Sequence, residues 1–420
     1  MILQAVASFA VCALAILALR PLAKAVDLID RPGGRKNHHG NVPIVGGLAM
    51  FIGVVLGVGL VRLPDAIGGA YLAACAIVVT VGLVDDRFNL SPWTRLPGQI
   101  AAALVLIVGG GVAVTSLGNP FGVGTISLSG YVSVGFTVLI VTAAINAFNM
   151  LDGLDGLAGS VALTSLLGIA YLSWTQGLPI AWGASLVLIG AICAFLMFNL
   201  PIRLNRGLRC FMGDAGSTLL GLSIAWLCIQ ISENPRSGVS PITALWMVAL
   251  PLYELVWSTA RRILRGVSPF QADTDHFHHL LLKAGFGVRG AFLAFVSLTV
   301  VFAGIGLGFD HFRVSDGVSL LVLVAFGILT TRLMYRARLV WLLLPEPKPR
   351  FELPQAVGAP AREGAAAAAD HHWLTGLSPG LPAAGRVESP NRTTGLGADV
   401  IEKHMTGAPD RKSPPSPPLG

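Results

Sequence analysis

The chain has 420 residues, of which 54% are hydrophobic and 12% charged, with a net charge of +7 at pH 7 and a mean hydropathy of +0.71. An ordinary soluble domain carries roughly 25% charged residues, so this composition excludes that class. Apolar runs of about 17 to 25 residues recur along the first 335 positions, which is the length of a membrane-crossing helix and too long for barrel strands. We predict an all-α fold, a polytopic bundle of membrane helices.

The apolar runs predict eleven membrane spans. The first run has no basic residue before Arg20. Its charge therefore follows the run, which favours an uncleaved span with its N-terminus outside over a signal peptide. The predicted spans cover residues 2–23, 43–61, 66–84, 97–117, 130–148, 157–174, 181–200, 216–232, 241–260, 290–308 and 316–333.

Basic residues gather in alternate loops. Four loops hold fourteen Lys and Arg residues, and the loops on the other side hold three. Because positive charge stays on the cytoplasmic side, the four basic loops are predicted to face the cytoplasm, where they favour anionic lipid and phosphate ligands. Nucleic-acid binding is the weaker interpretation, since no basic helix or domain stands apart from the spans. The basic loops are residues 24–42, 85–96, 201–215 and 261–289.

The composition changes near Pro345, beyond which Pro, Gly and Ala dominate. Such segments bury too little apolar surface to offset the entropy of folding. We therefore predict two regions: a membrane-embedded domain over residues 1–335 and a disordered cytoplasmic tail over residues 345–420.

Polar residues form five clusters at the cytoplasmic ends of predicted spans. Polar groups at a membrane boundary are costly unless something binds them, so these clusters are candidates for function. They lie within residues 30–47, 85–99, 145–157, 211–217 and 269–279.

The third cluster has a period of three, with polar side chains at Asn146, Asn149, Asp152 and Asp155. If this stretch is helical, neighbouring members share a face and can hold one polar ligand.

The second and fourth clusters supply acids. Asp85 and Asp86 are adjacent and repel each other, and Arg87 offsets only one charge, so a bound cation would relieve the repulsion. The alternative is that the pair merely ends a span. Asp214 lies in a Gly-bounded turn before a span, where it either serves chemistry or caps a helix.

The fifth and first clusters supply bases. His276, His278 and His279 either form a solvated loop, bind zinc, or contact an anion and move protons, and the last interpretation is favoured because no Cys partners are evident. Arg35 and Lys36 either contact a ligand or act only as topology charges.

Together these residue types indicate one kind of chemistry. Oxygen-only acids suit Mg²⁺, and Arg, Lys and His side chains suit phosphate. Phe211 offers a ring on which a base can stack. This combination favours phosphoryl transfer from a nucleotide at the membrane surface.

The five clusters, in this order over about residues 1–335, resemble the polyprenyl-phosphate N-acetylhexosamine-1-phosphate transferases. The segments 276–279, 149–153 and 35–38 are similar to the sugar-phosphate transferase branch rather than to the MurNAc-pentapeptide translocase. The resemblance implies a UDP-N-acetylhexosamine donor, foremost UDP-N-acetylglucosamine, and undecaprenyl phosphate as acceptor in the lipid bilayer, with UMP as a product. It also implies Mg²⁺ as cofactor, with Mn²⁺ as a substitute, and a bacterial inner-membrane location with the active site facing the cytoplasm. The oligomeric state stays open, with a homodimer as one option.

The resemblance implies a role for each cluster. Asp85 and Asp86 match the family's catalytic acid pair, and Asp214 matches a catalytic magnesium ligand, to which Asn149 could add a carbonyl oxygen. On the uridine side, the family's substrate contacts match Asp152, Asp155 and Phe211. Basic contacts near the nucleotide match Lys36 and His38. Contacts to pyrophosphate or sugar match His276, His278 and His279.

Two positions depart from the family's pattern. Asn89 stands where some relatives have a third acid, and Thr274 stands where an Arg is usual. The first departure implies that an acid at position 89 is not indispensable to the chemistry. The second implies that one phosphate contact is missing or is supplied by Arg265 or Lys283, which concerns donor choice more than reaction type.

The expected mechanism is in-line attack by the acceptor phosphate on the donor's β-phosphorus. The second pKa of a phosphate monoester is about 6, so the acceptor needs alignment more than deprotonation. Mg²⁺ on Asp214 would neutralise the pyrophosphate, while Asp85 or Asp86 positions the acceptor, removes a residual proton or binds metal. A two-step route through a phospho-aspartyl enzyme stays open. The rival functions are a transporter or flippase for lipid- or nucleotide-linked sugars and a zinc hydrolase built on the histidines.

Overall fold

A computed structural model describes residues 1–30, 41–61, 64–201, 207–268 and 276–343, with the side chains of 335 and 337–343 excepted. All of these residues belong to one compact unit, Met1–Lys348. The predictions made for Lys36, His38, Thr274 and the tail 345–420 lie outside the described residues.

The described chain is almost entirely helical. Its elements in order are α1 (Ile2–Ala25), β1 (Ile29–Asp30), β2 (Val42–Pro43), α2 (Gly46–Val61), α3 (Asp65–Phe88), α4 (Pro92–Gly110), α5 (Gly130–Leu151), α6 (Leu157–Thr175), α7 (Pro179–Asn199), α8 (Gly213–Ser232), α9 (Pro241–Met247), α10 (Ala249–Leu264), α11 (Phe277–Lys283), α12 (Val288–His311) and α13 (Asp316–Leu343).

The helices confirm the predicted class of a polytopic helical membrane protein. Within the described ranges nine helices are long and apolar enough to cross a membrane, and the bent pair α9–α10 makes a tenth. Helix α2 corresponds to the remaining predicted span, but it has only 16 residues.

One predicted span boundary is wrong. The span expected at 97–117 is a helix over Pro92–Gly110, with Ser91 accepting a hydrogen bond from the N–H of Thr94 at its start. Gly111 adopts a left-handed conformation with φ of 63° and closes the helix, because glycine enters that region without steric cost.

The span predicted at 241–260 is broken. Helices α9 and α10 meet at Val248 with a bend of 83°. Pro251 has no N–H to donate to the carbonyl of Met247, four residues earlier. The hydroxyl of Ser165 on α6 donates to that carbonyl at 2.6 Å instead. A neighbouring helix thus satisfies the group that the proline leaves free.

Small residues let α2, α3 and α8 approach closely. A Cβ at Gly47 would come within 2.2 Å of the backbone nitrogen of Gly216, and one at Gly82 within 2.4 Å of the Cα of Ala215. Such backbone contacts are typical of membrane helix packing. They place the first turn of α8 against α2 and the last turns of α3.

A short sheet ties the first and fourth clusters together. Ile29 and Asp30 pair antiparallel with Pro43 and Val42. The N–H of Phe211 donates to the carbonyl of Pro43, and the N–H of Gly46 donates to the carbonyl of Phe211, both at 2.9 Å. The segment leading into α8 is therefore fixed beside the start of α2.

Candidate active site

Acidic side chains from two helices meet a guanidinium from a third. Asp85 lies near the end of α3 and Asp214 in the first turn of α8. Arg95 of α4 places one nitrogen, Nη1, 2.6 Å from Oδ2 of Asp85 and 3.3 Å from Oδ2 of Asp214. Together with Asp86 we call these residues the acid cluster.

The two carboxylates joined by Arg95 differ in access. The Asp85 side chain is 2% exposed, and its other oxygen accepts a hydrogen bond from the N–H of Leu90 at 2.7 Å. The Asp214 side chain is 32% exposed. Asp85 is thus an anchor for Arg95, whereas Asp214 is open to a ligand.

Asp86 caps helix α8 from a neighbouring helix. Its Oδ1 accepts from the N–H of Asp214 at 2.7 Å, and its Oδ2 accepts from the N–H of Ala215 at 3.3 Å. These groups have no partner within their own helix, and a carboxylate also suits the positive end of the helix dipole. Gly213, with φ of 70°, leaves the space, since a Cβ there would lie 2.4 Å from Oδ2 of Asp86.

This geometry decides two of the alternative interpretations. Asp214 is not the cap of α8, because Asp86 occupies that role. The acid pair does not end its helix either, since α3 continues to Phe88 and closes at Asn89, which is left-handed with φ of 53°. Asn89 therefore serves the backbone at the position where some relatives carry an acid.

Asn149 of α5 reaches the acid cluster. Its Nδ2 donates to Oδ1 of Asp214 and, at 3.0 Å, to the hydroxyl of Ser217. Asn146 lies one turn earlier and donates to Oε1 of Gln99 at 2.8 Å. Both residues belong to the helical face that the period of three predicted.

The same prediction is wrong for the second half of that stretch. Helix α5 ends at Leu151, Asp152 is its C-cap, and Asp155 lies in the turn before α6. Asn146, Asn149, Asp152 and Asp155 therefore do not share one helical face.

The site offers few ligand atoms for a divalent cation, and they are oxygens. Among the described residues, no group of three or more His, Cys, Asp and Glu side chains is placed to hold a metal. Asp214 is the more exposed of the two carboxylates that Arg95 joins, and Asn149 would offer its carbonyl oxygen after a half-turn of its amide. Mg²⁺ suits such a site, because it takes few protein ligands and fills its shell with waters and phosphates.

A second group lies on the loop before α8. Arg209 forms an ion pair with Asp155, and its guanidinium carbon lies 5.9 Å from the centre of the Phe211 ring. Asn199, at the end of α7, supports both loops: it accepts from the N–H of Gly156 and donates to the carbonyl of Cys210 at 2.9 Å. The predicted uridine-side residues Asp155 and Phe211 are thus brought together through Arg209.

Asp152 stands between the two groups. Protein surrounding its carboxyl raises the pKa of Asp152 to about 7, and the negative charges of Asp86 and Asp155 act in the same direction. The residue nevertheless remains exposed to solvent. It can therefore change charge near neutral pH while in contact with a ligand.

The histidines stand at the start of α11 and are held by a buried acid. Glu254 of α10 has no exposed side-chain surface. Its Oε1 lies 2.8 Å from Nδ1 of His276, and its Oε2 accepts from the N–H of Phe277 at 2.9 Å. We call His276, His278 and His279 the histidine cluster.

His278 joins this cluster to the end of α5. A Cβ at Gly153 would come within 2.3 Å of Nε2 of His278, so the imidazole lies directly on that glycine. Both ring nitrogens of His278 are buried and have no hydrogen-bond partner among the described residues. Burial, with His279 and His276 nearby, lowers the pKa of His278 to about 3. The imidazole is therefore neutral at physiological pH and suits hydrogen bonding better than proton transfer.

Sequence reasoning missed three members of the site. The pattern places Arg95 in the second cluster without indicating a role, marks Arg209 only as a basic loop residue, and assigns nothing to Glu254. A signal for Glu254 existed, because a lone carboxylate inside the apolar span predicted at 241–260 marks a functional position. No comparable signal separated the two arginines from their basic neighbours.

Comparison with known proteins identifies similar chains. The sequence model described as glycosyl transferase family 4 matches residues 69–232. This range includes Asp85, Asp86, Arg95, Asn149 and Asp214.

Curated relatives extend the similarity over most of the chain. The undecaprenyl-phosphate alpha-N-acetylglucosaminyl 1-phosphate transferase of Escherichia coli O157:H7 is 37% identical over 311 residues, which cover 73% of this chain and 84% of that protein. Proteins with the same name from Salmonella typhi and Haemophilus influenzae are 36% and 34% identical. The aligned parts cover 74% and 78% of this chain, and 85% and 91% of those relatives.

Proposed function

The chain belongs to glycosyl transferase family 4, and on that basis we propose that it transfers N-acetylglucosamine 1-phosphate from UDP-N-acetylglucosamine to undecaprenyl phosphate, releasing UMP. The names of the similar proteins support this donor sugar and this acceptor. The observation that carries the proposal is the acid cluster, in which Arg95 joins carboxylates of two helices beside Asn149.

The proposed location is the bacterial inner membrane, with the site facing the cytoplasm. Arg95 and Arg209 lie at the same end of the bundle as the acid cluster and the Phe211 loop. Arg236 and Arg313 belong to the loops of the other end. The excess of basic residues on the site's side supports a cytoplasmic orientation.

The donor would lie across the two groups of the site. Phe211 offers an aromatic face for the uracil ring, and Asp155 with Arg209 offers acceptors and donors for its edge or ribose. The pyrophosphate would then face Arg95 and the neutral imidazole of His278. Donors fixed in place before the reaction stabilise developing charge on phosphate oxygens at low reorganisation cost.

The acceptor phosphate needs alignment with the donor's β-phosphorus. Asp85 holds Arg95 in place, and Asp86 fixes the first turn of α8, so both acids act on the position of Asp214. Mg²⁺ held by Asp214 and Asn149 would supply charge neutralisation to the pyrophosphate. Single displacement is favoured, because each oxygen of Asp85 and of Asp86 accepts a hydrogen bond and neither acid is poised as a nucleophile.

The test is a reconstituted reaction. Purified protein receives radiolabelled UDP-N-acetylglucosamine, undecaprenyl phosphate and Mg²⁺, and UMP and labelled lipid are scored together. The expected result is equal amounts of the two products. Parallel reactions with UDP-N-acetylgalactosamine test the donor, and chelation with EDTA tests the cation.

The same preparation in sealed vesicles distinguishes the rival functions. Labelled sugar that crosses the membrane without UMP release would contradict the proposal and favour a transporter. Substrate hydrolysis that continues without polyprenyl phosphate would favour a hydrolase.

A further inference from the structure

A second candidate binding site lies away from the acid cluster, between α10 and α13. It is a groove of about 820 Å³. Val256 and Trp257 line it on α10, and Val324 and Ile328 line it on α13. Val256, Val324 and Ile328 are each half exposed or more. The lining is predominantly hydrocarbon, as expected of a site for an apolar chain.

The groove has a fixed floor. The hydroxyl of Tyr253 on α10 donates to the carbonyl of Leu323 on α13 at 2.5 Å. A Cβ at Gly327 would come within 2.6 Å of the Tyr253 ring, so this glycine lets the ring lie against α13. The two helices are thus joined beneath the exposed apolar surface, and the groove is part of the packed structure.

Two arginines stand at one end of the groove. Arg332 and Arg336 are four residues apart and share one face of α13, where both line the groove and are exposed. Arg332 lies sixteen residues beyond Asp316, about 24 Å along the helix axis. In a hydrocarbon core of about 30 Å that begins at Asp316, the backbone of Arg332 lies about 6 Å below the headgroup level, which its long side chain can reach.

No described acidic residue beside the groove neutralises the positive charge of Arg332 and Arg336. None of the described residues that line the groove is acidic. The described part of the chain also contains no ion-pair partner for Arg332 or Arg336. Paired guanidinium groups prefer phosphate oxygens, which they can bind through more than one N–H.

We propose that this groove binds a membrane phospholipid with an anionic headgroup, its acyl chain lying along Val324 and Ile328 and its phosphate on Arg332 and Arg336. The alternative occupant is the polyprenyl acceptor. Helix α13 packs against α9, α10 and α11, whereas the acid cluster belongs to α3, α4 and α8. Arg332 and Arg336 therefore stand on a helix that supplies none of the residues of the acid cluster.

The bound lipid would also support the histidine cluster. Helix α11, which begins next to His276, packs against α13, and Glu254 of α10 holds His276. A lipid lying between α10 and α13 contacts both helices that support α11.

The test measures retained lipid by native mass spectrometry of the full-length protein. The probes are phosphatidylglycerol and phosphatidylcholine with identical acyl chains. The wild-type protein is expected to retain phosphatidylglycerol about tenfold more than phosphatidylcholine, a ratio equal to about 1.4 kcal/mol. The R332Q/R336Q variant should lose this preference, and R289Q, at an exposed arginine of α12, should keep it.

A second pair of variants tests the apolar part. Ile328→Trp fills the groove and should reduce retention of both lipids about tenfold. Leu329→Trp adds the same ring at a neighbouring, equally exposed position that does not line the groove, and should leave retention unchanged. Monodisperse elution of every variant checks the fold.

Three results would overturn the proposal. One is unchanged phosphatidylglycerol retention in R332Q/R336Q, and another is unchanged retention in I328W. The third is displacement of phosphatidylglycerol by added undecaprenyl phosphate at equal concentration, which would assign the groove to the acceptor. None of these measurements depends on the transfer reaction, so they stand apart from the test of the proposed function.

Discussion

The acid cluster and the histidine cluster are built on opposite principles. In the acid cluster Arg95, Asn149 and backbone N–H groups of α8 and Leu90 fill the oxygens of the acids. In the histidine cluster one buried carboxylate, Glu254, fixes the start of α11, and both ring nitrogens of His278 lack a hydrogen-bond partner among the described residues. Buried polar groups are normally satisfied, so an exception suggests a ligand. The acid cluster is a rigid frame, whereas the neutral imidazole of His278 offers a ligand one hydrogen-bond donor and one acceptor.

The largest effect is expected from Asp214→Asn, which changes the more exposed of the two carboxylates that Arg95 joins. Loss of a charged ligand opposite the pyrophosphate should lower Mg²⁺-dependent UMP release by about 10³-fold. The measurement is initial rate against Mg²⁺ concentration. Asp310→Asn is the control, at the C-terminal end of α12, which is the end away from the histidine cluster, and it should keep full activity. Full activity in Asp214→Asn would remove Asp214 from the metal site.

His278→Ala tests the second cluster. Neither ring nitrogen bonds to the described protein, so the variant should lose only packing contacts, among them those with Gly153, His279 and Phe295. UMP release should fall about 100-fold. The measurements are Tm and the initial rate of UMP release. His311→Ala, at an exposed histidine of α12, is the matched control. Unchanged activity in His278→Ala would make the imidazole a packing group only.

Glu254→Gln separates positioning from stability. The glutamine amide can accept only one of the two hydrogen bonds that Glu254 accepts from the start of α11. The KM for the donor substrate should therefore rise about tenfold. Tm should hold or rise, because a buried carboxylate is removed. Glu254→Leu loses both hydrogen bonds, and its rate of UMP release should fall nearly as far as that of His278→Ala. Equal KM values for the wild type and both variants would show that the histidine cluster does not need this anchor.

The smallest effect is expected from pH. Because the pKa of Asp152 is about 7, its carboxyl gains a proton as pH falls through 7, and donor KM should rise a few-fold between pH 8 and pH 6. Asp152→Asn should remove this dependence. A raised folded-state pKa also means that the ionised carboxyl destabilises the fold above its unfolded pKa, near 4. The variant should therefore gain Tm at pH 8, and the gain should vanish toward pH 4. A gain in Tm that does not vary with pH would contradict the raised pKa of Asp152.

Particular residues mark the limit of what could be predicted. The acids Asp85, Asp86 and Asp214 stood out because polar groups between long apolar runs are rare, and the structure brings them together. The cap formed by Asp86 could not be predicted, since it depends on backbone atoms of α8, more than a hundred residues away. The same holds for Arg95, which differs from other basic residues only in what it contacts.

The break at Val248 shows the same limit in the fold. Pro251 was visible in the sequence, but proline is tolerated in many membrane helices. The bend of 83° accompanies a hydrogen bond to the Met247 carbonyl from Ser165, a residue of another helix.

The sequence by itself determined that this protein is a helical membrane bundle, roughly where its spans lie, and which polar residues gather at their ends. Those properties follow from the length and position of apolar runs, which are local along the chain. Only the tertiary structure decided which acid caps a helix, which stays open to a ligand, and which carboxylate holds the histidines. These roles depend on distances of about 3 Å between groups far apart in sequence, and the close packing of Gly47, Gly82 and Gly216 sets those distances.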